Sequence, residues 1–107
     1  MPSEEIAAMG FLTAKEGREE DCYRLAKSLT ESTHAEDKGC LYYAVFNRTN
    51  DSREFVLHER WQNGAALMAH FKRLVAAYGP VAPGVSLPEG IAEPFEKIQF
   101  IGLTVIE

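Results

Sequence analysis

The chain has 107 residues, 46% of them hydrophobic and 25% charged, with 11 Lys+Arg against 16 Asp+Glu and a formal charge of -5. That length suits a single globular domain, 1–107, and leaves no room for a second of ordinary size. The acidic balance argues against a nucleic-acid partner, which requires a cationic footprint to neutralise phosphates, and the longest apolar run, Ile6 to Ala14, is about half of the ~20 residues a membrane-crossing helix needs.

The acidic opening Met1-Pro2-Ser3-Glu4-Glu5 lacks the basic region of a secretory signal. Ile6 to Thr13 reads as a strand apolar on both faces. A helix should open in Glu16-Gly17-Arg18-Glu19-Glu20, where acids suit the positive end of the helix dipole, and fade between His34 and Asp37. Its apolar stripe is Cys22, Leu25, Ala26 and Leu29, at spacings of three and four. Cys22 and Cys40, 18 positions apart, are too few for a disulfide scaffold, so a reduced cytoplasmic protein is expected.

Cys40 to Phe46 is the most strand-like segment, with Leu41, Tyr43 and Val45 expected on one face and Cys40, Tyr42, Ala44 and Phe46 on the other. The polar stretch Asn47 to Ser52 makes a turn, and Arg53 to Trp61 returns as an antiparallel partner. Asn63 can cap a second helix from about Gly64 to Tyr78, with Leu67, Phe71, Leu74 and Tyr78 along one face and His70 at the edge of that stripe. Gly79 to Glu96 holds four of the five prolines, an uncommonly long connection that should cap a pocket or reach onto a partner. Pro88 to Ala92 suggests one helical turn within it, and Lys97 to Ile106 a final strand.

The order βαββαβ is that of a ferredoxin-like α+β fold: a four-stranded antiparallel sheet with both helices on one face. Such a sheet ordinarily alternates apolar with polar residues, because its other face meets water. Several strands here are apolar on both faces, so a second copy of the sheet is the expected cover and a homodimer the expected state.

Gly39-Cys40-Leu41-Tyr42-Tyr43, Phe55-Val56-Leu57-His58-Glu59-Arg60-Trp61 and Ala66-Leu67-Met68-Ala69-His70 together resemble the antibiotic biosynthesis monooxygenase (ABM) family. That family has a Gly-x-x-x-Tyr strand, a Glu-x-Trp strand end and a helix with Ala-Leu-x-x-His. The resemblance covers roughly Ile6 to Tyr78 and the last strand. It implies a dimeric α/β barrel of ferredoxin-like subunits, and oxidation by O₂ of a small electron-rich aromatic, a quinol or polyphenol, without metal or flavin. The haem-degrading branch differs: it carries an Asn on the first strand and a His later on the helix, and neither stands here.

Such chemistry needs a dry pocket, a base or hydrogen-bond partner for a developing oxyanion, and surfaces that orient the ring. His70 is the candidate catalytic base, since imidazole titrates nearest neutrality. Trp61 is a candidate stacking surface for substrate. Glu59, a carboxylate on an otherwise apolar strand face, needs a partner or a raised pKa; it can orient His70, touch substrate or hold the dimer. Of the two adjacent tyrosines the resemblance favours Tyr42 as the substrate contact. His58 belongs to the opposite face, at a dimer seam, and His34 to solvent. No metal is expected, because the three histidines make no i,i+4 pair and the cysteines no CxxC. No dinucleotide or Walker loop is present either, so no cofactor is called for. Two other readings stay open on the same residues: a proton-transfer enzyme such as an isomerase that uses His70 without O₂, and a non-catalytic dimeric ligand-binding or stress-associated domain.

Overall fold

From Glu54 to Trp61 every second side chain is buried: Phe55, Leu57, Glu59 and Trp61. This is the period of a strand with one face against a core. In the computed structural model, which describes residues 4–106, that strand is one of four. The element order is β1 (Ile6–Ala14), α1 (Glu19–Glu36), β2 (Cys40–Asn47), β3 (Glu54–Trp61), α2 (Gly64–Tyr78), α3 (Glu89–Ala92) and β4 (Phe95–Leu103). The strands pair antiparallel in the order β2-β3-β1-β4, with the helices on one side, the ferredoxin-like arrangement.

Local chemistry explains the helix ends. Asn63, in extended conformation, accepts a 2.9 Å hydrogen bond from the Ala66 N–H on its Oδ1, and Gly79 closes α2 with φ 96° and an N–H bond to Val75 O. Each end of α2 therefore has one of its spare backbone groups met by the capping residue. α1 begins at Glu19 rather than in the preceding Glu16-Gly17 stretch, because Gly17 takes φ 83°, outside helical space. The left-handed Gly39 turns the chain from α1 into β2, and a Cβ there would lie 2.7 Å from that of Ala66 at the start of α2.

Two bulges shift the expected register. Between Cys40 and Tyr42 the pairing with β3 skips a residue: Cys40 pairs with Trp61 and Tyr42 with Arg60. The additional residue, Leu41, reverses the expected side of Cys40, which packs against the core together with Tyr43 and Val45. A second irregularity at Thr13/Ala14 lets Ala14 pair with Phe95, so β4 starts earlier than expected. It ends at Leu103, opposite Ala7, near the start of β1.

The core between sheet and helices includes Leu12, Tyr43, Phe55, Leu57 and Trp61 from the strands and Cys22, Leu29 and Leu74 from the helices. Gly10 gives the Phe100 ring its seat, since a Cβ there would stand 2.6 Å from the ring. The 79–94 segment is tied down throughout. Ala82 N–H bonds Leu87 O, Glu89 N–H bonds Pro80 O, Cys22 Sγ donates to Pro94 O at 3.5 Å, and Arg18 pairs with Glu93 at 2.8 Å. On the other side of the sheet, Phe11, Tyr42, Phe46, Ile101 and Leu103 are exposed, and His58 sits 4.9 Å from the Tyr42 ring. No helix among the described residues is long and apolar enough to cross a membrane.

Candidate functional site

Helical spacing brings Leu67, His70, Phe71 and Leu74 of α2 to one face, where they wall a cavity of about 310 Å³. Tyr43 of β2, Leu57 and Glu59 of β3 and Phe100 of β4 close it from the sheet side. Ser86 and Leu87 of the proline-rich segment add a further side to the wall. That segment therefore borders the cavity, as its length and proline content suggested.

His70 is 4% exposed, so it sits in the buried stripe with Leu74 rather than at the stripe's edge. Its imidazole lies with ring centroid 4.4 Å from the indole of Trp61 and 5.5 Å from the Tyr43 ring. Nδ1 is 2.6 Å from Oδ2 of Asp37, the residue that caps the end of α1. Arg73, one turn after His70, donates from Nε to Asp37 Oδ1 at 2.8 Å and from a terminal nitrogen to Oδ2 at 2.7 Å. Burial raises the Asp37 carboxyl, but the bonds from Arg73 and His70 outweigh it and hold that carboxyl below its usual value.

Glu59 is 6% exposed and takes a 2.7 Å hydrogen bond from Trp61 Nε1. Desolvation pushes its carboxyl up despite that bond and the nearby imidazoles of His70 and His58. Trp61 is fully buried and does not reach the cavity surface: it underlies His70 and anchors Glu59. The phenol of Tyr43 is held well above the usual tyrosine range, chiefly by burial, with Thr33 as a hydrogen-bond partner.

The structure thus brings together three of the four residues singled out from sequence, His70, Glu59 and Trp61, and separates the fourth. Tyr42 faces the helix-free side, 41% exposed beside His58. Its neighbour Tyr43 is the tyrosine at the cavity, because alternation along β2 sends adjacent side chains to opposite faces. Counting Gly-x-x-x-Tyr from Gly39 also ends on Tyr43. Asp37 and Arg73 were not singled out. A faint signal existed for Asp37: an acid at a helix C-terminus opposes the dipole and implies another partner. His34 is exposed, with Nε2 2.8 Å from the Tyr43 carbonyl. No group of His, Cys, Asp and Glu among the described residues is arranged to hold a metal.

A βαββαβ subunit with a buried imidazole and carboxyl at the wall of an apolar cavity defines a ferredoxin-like α+β protein with its chemistry set between sheet and helices. Residues 5–75 match the antibiotic biosynthesis monooxygenase family, and the chain belongs to that family. No curated protein matches it. Among solved structures, a Pseudomonas aeruginosa protein is 20% identical with a TM-score of 0.75, covering 100% of this chain and 99% of its own. A conserved Bacteroides thetaiotaomicron protein of unknown function is 25% identical with a TM-score of 0.71, covering 94% and 99%. A candidate antibiotic biosynthesis monooxygenase from the same organism superimposes with a TM-score of 0.80 at 13% identity, covering 97% and 91%.

Proposed function

We propose that this chain, as one domain spanning residues 1–107, is a monooxygenase that oxidises a small electron-rich aromatic, a quinol or polyphenol, with O₂ and no added cofactor. The observation that carries the reading is the buried imidazole of His70 beside the buried carboxyl of Glu59, both at the wall of an otherwise apolar cavity of about 310 Å³. Small-molecule sites run from roughly 300 to 1,000 Å³, so this one suits a ligand of one or two rings. In the proposed reaction a hydroquinone and O₂ give a hydroxyquinone and water. One oxygen atom enters the ring, the other leaves as water, and the ring supplies all four electrons.

His70 takes the phenolic proton, which leaves an electron-rich anion able to reduce O₂. Glu59, whose protonated form is favoured by burial, donates a hydrogen bond to a substrate oxygen. Trp61 holds both in place from below. The rest of the wall is mostly apolar, so a substrate seated there displaces water, which strengthens each of these polar contacts. The family membership and the Bacteroides relative at 25% identity, named as an oxidoreductase candidate, support the class of reaction.

A homodimer is part of the proposal, with Tyr42 and the other exposed apolar residues of the helix-free face as its contact surface. A reducing cytoplasm is the proposed setting for the free thiols of Cys22 and Cys40. Oxygen uptake with a panel of quinols and polyphenols tests the activity. The expected result is one O₂ consumed per quinol, with hydroxyquinone as product. Conversion of the same compounds without O₂ consumption would overturn the reading in favour of proton transfer.

A further inference from the structure

His70 stands between two spaces: the apolar cavity and an outer groove of about 340 Å³ bordered by Asp37, Lys38 and Arg73. Its two ring nitrogens are treated differently. Nδ1 is bonded to Asp37, which borders the groove and not the cavity. Among the described residues Nε2 has no hydrogen-bond partner, yet none of their fully buried side-chain nitrogens or oxygens lacks one. Nε2 therefore reaches accessible space. With the Nδ1 edge turned to Asp37, the cavity is the space it meets.

We propose that Asp37, clamped by Arg73, is the positioning residue that fixes His70 as the Nδ1–H tautomer and so presents Nε2 to the cavity as a proton acceptor. A carboxylate can only accept, so a 2.6 Å contact to it requires the proton to be on Nδ1. The neutral ring then has its lone pair on Nε2. Arg73 makes the arrangement rigid, because its fork occupies both Asp37 oxygens, cannot rotate without breaking both bonds and keeps its charge at any working pH. Thr33 and Ser32, each 3.5 Å from the same Arg73 nitrogen, hold the guanidinium against α1. A freely tautomerising imidazole would present a donor to the cavity for part of the time, and a donor cannot take a phenolic proton.

This assignment deepens the monooxygenase reading in its catalytic consequence, but the tautomer can be read without any substrate. Nitrogen-15 NMR of the His70 ring, at a pH alkaline enough to neutralise it, should show a single tautomer with protonated Nδ1 and bare Nε2. In Asp37→Ala the lock is gone and both tautomers should appear, while Asp37→Glu should restore the Nδ1–H form. With a quinol that the wild type oxidises, Asp37→Ala should lower kcat by about tenfold or less, because the accepting tautomer stays populated beside the other, with KM little changed and part of the rate recovered in Asp37→Glu.

A wild-type ring protonated on Nε2 overturns the inference even if no variant folds. So does an Asp37→Ala ring spectrum identical to wild type, or a tautomer change that leaves kcat unaltered. If the wild type consumes no O₂ with any quinol, the monooxygenase reading fails while the NMR still decides the tautomer. A merely structural Asp37 would lower stability without moving the ring tautomer.

Discussion

Trp61 Nε1 donates a 2.7 Å hydrogen bond to Oε1 of Glu59, two positions earlier on the same face of β3. The strand repeat alone sets this pairing, and it gives a buried carboxyl one neutral donor and no salt bridge among the described residues. One neutral bond does not offset the lost hydration, so the folded-state pKa of Glu59 lies above the unfolded value of 4.5. The folded state then binds this proton more tightly than the unfolded chain does. Stability from Glu59 is fully present below 4.5 and is lost as pH rises through the folded value. Glu59→Gln keeps an oxygen for Trp61 and cannot ionise. Urea midpoints taken from pH 4 to pH 8 should therefore decline less in the variant, with Glu59→Gln the more stable protein at neutral pH. A lower midpoint for the variant at neutral pH would show that the ionised carboxylate is needed.

Asp37 carries the opposite sign. Its folded pKa lies below the ordinary value of 3.8, so its contribution is present above 3.8 and is lost as pH falls through the folded value. Arg73→Met removes the fork while keeping an apolar stem on α2. Acid unfolding, followed by tryptophan fluorescence, should move to higher pH in that variant. An unchanged acid midpoint would mean that the fork contributes nothing to keeping Asp37 ionised.

His70→Ala is expected to affect turnover and fold together. Loss of a general base lowers turnover about 10²- to 10⁴-fold. The ring is also buried against Trp61 and Tyr43, so its removal leaves a void that costs about 2–3 kcal/mol. A residue at the edge of the stripe would have cost less. His70→Gln retains hydrogen bonding without the titration, and should recover stability more than rate. Equal recovery of both, measured by urea unfolding and O₂ uptake, would mean that His70 polarises substrate instead of taking its proton.

Phe11 lies in the middle of the helix-free face, paired with Val56 on one side and Gln99 on the other, and is 39% exposed. A charge there should weaken the proposed dimer at little cost to the subunit. Burying a phenylalanine is worth about 1.5–3 kcal/mol, which corresponds to roughly ten- to hundredfold in dissociation constant. Light scattering over a dilution series should show Phe11→Lys becoming monomeric at a concentration where the wild type stays dimeric. A wild type that is monomeric at every concentration removes the dimer.

Two local periods make most of the fold legible in the sequence. Alternation put Glu59 and Trp61 on one face of β3, and the three-and-four spacing put His70 with Leu67 and Leu74 on α2. Asn63 and Gly79 mark the ends of that helix because each meets a spare backbone group with its own chemistry. These features depend on neighbours within a turn or a strand, so a linear string carries them. Tertiary packing decided the rest. The bulge that follows Cys40 arises from pairing with β3, and it turns Cys40 toward the core. Asp37 and His70 are 33 positions apart, one at the C-cap of α1 and the other within α2, and only the crossing of α2 past the end of α1 brings their side chains to 2.6 Å. Likewise Ser86 and Leu87 meet the cavity because the proline-rich segment folds back over it. A periodic pattern reports which way a side chain faces; which partner it faces depends on how two elements dock, and that is a property of the whole packed chain.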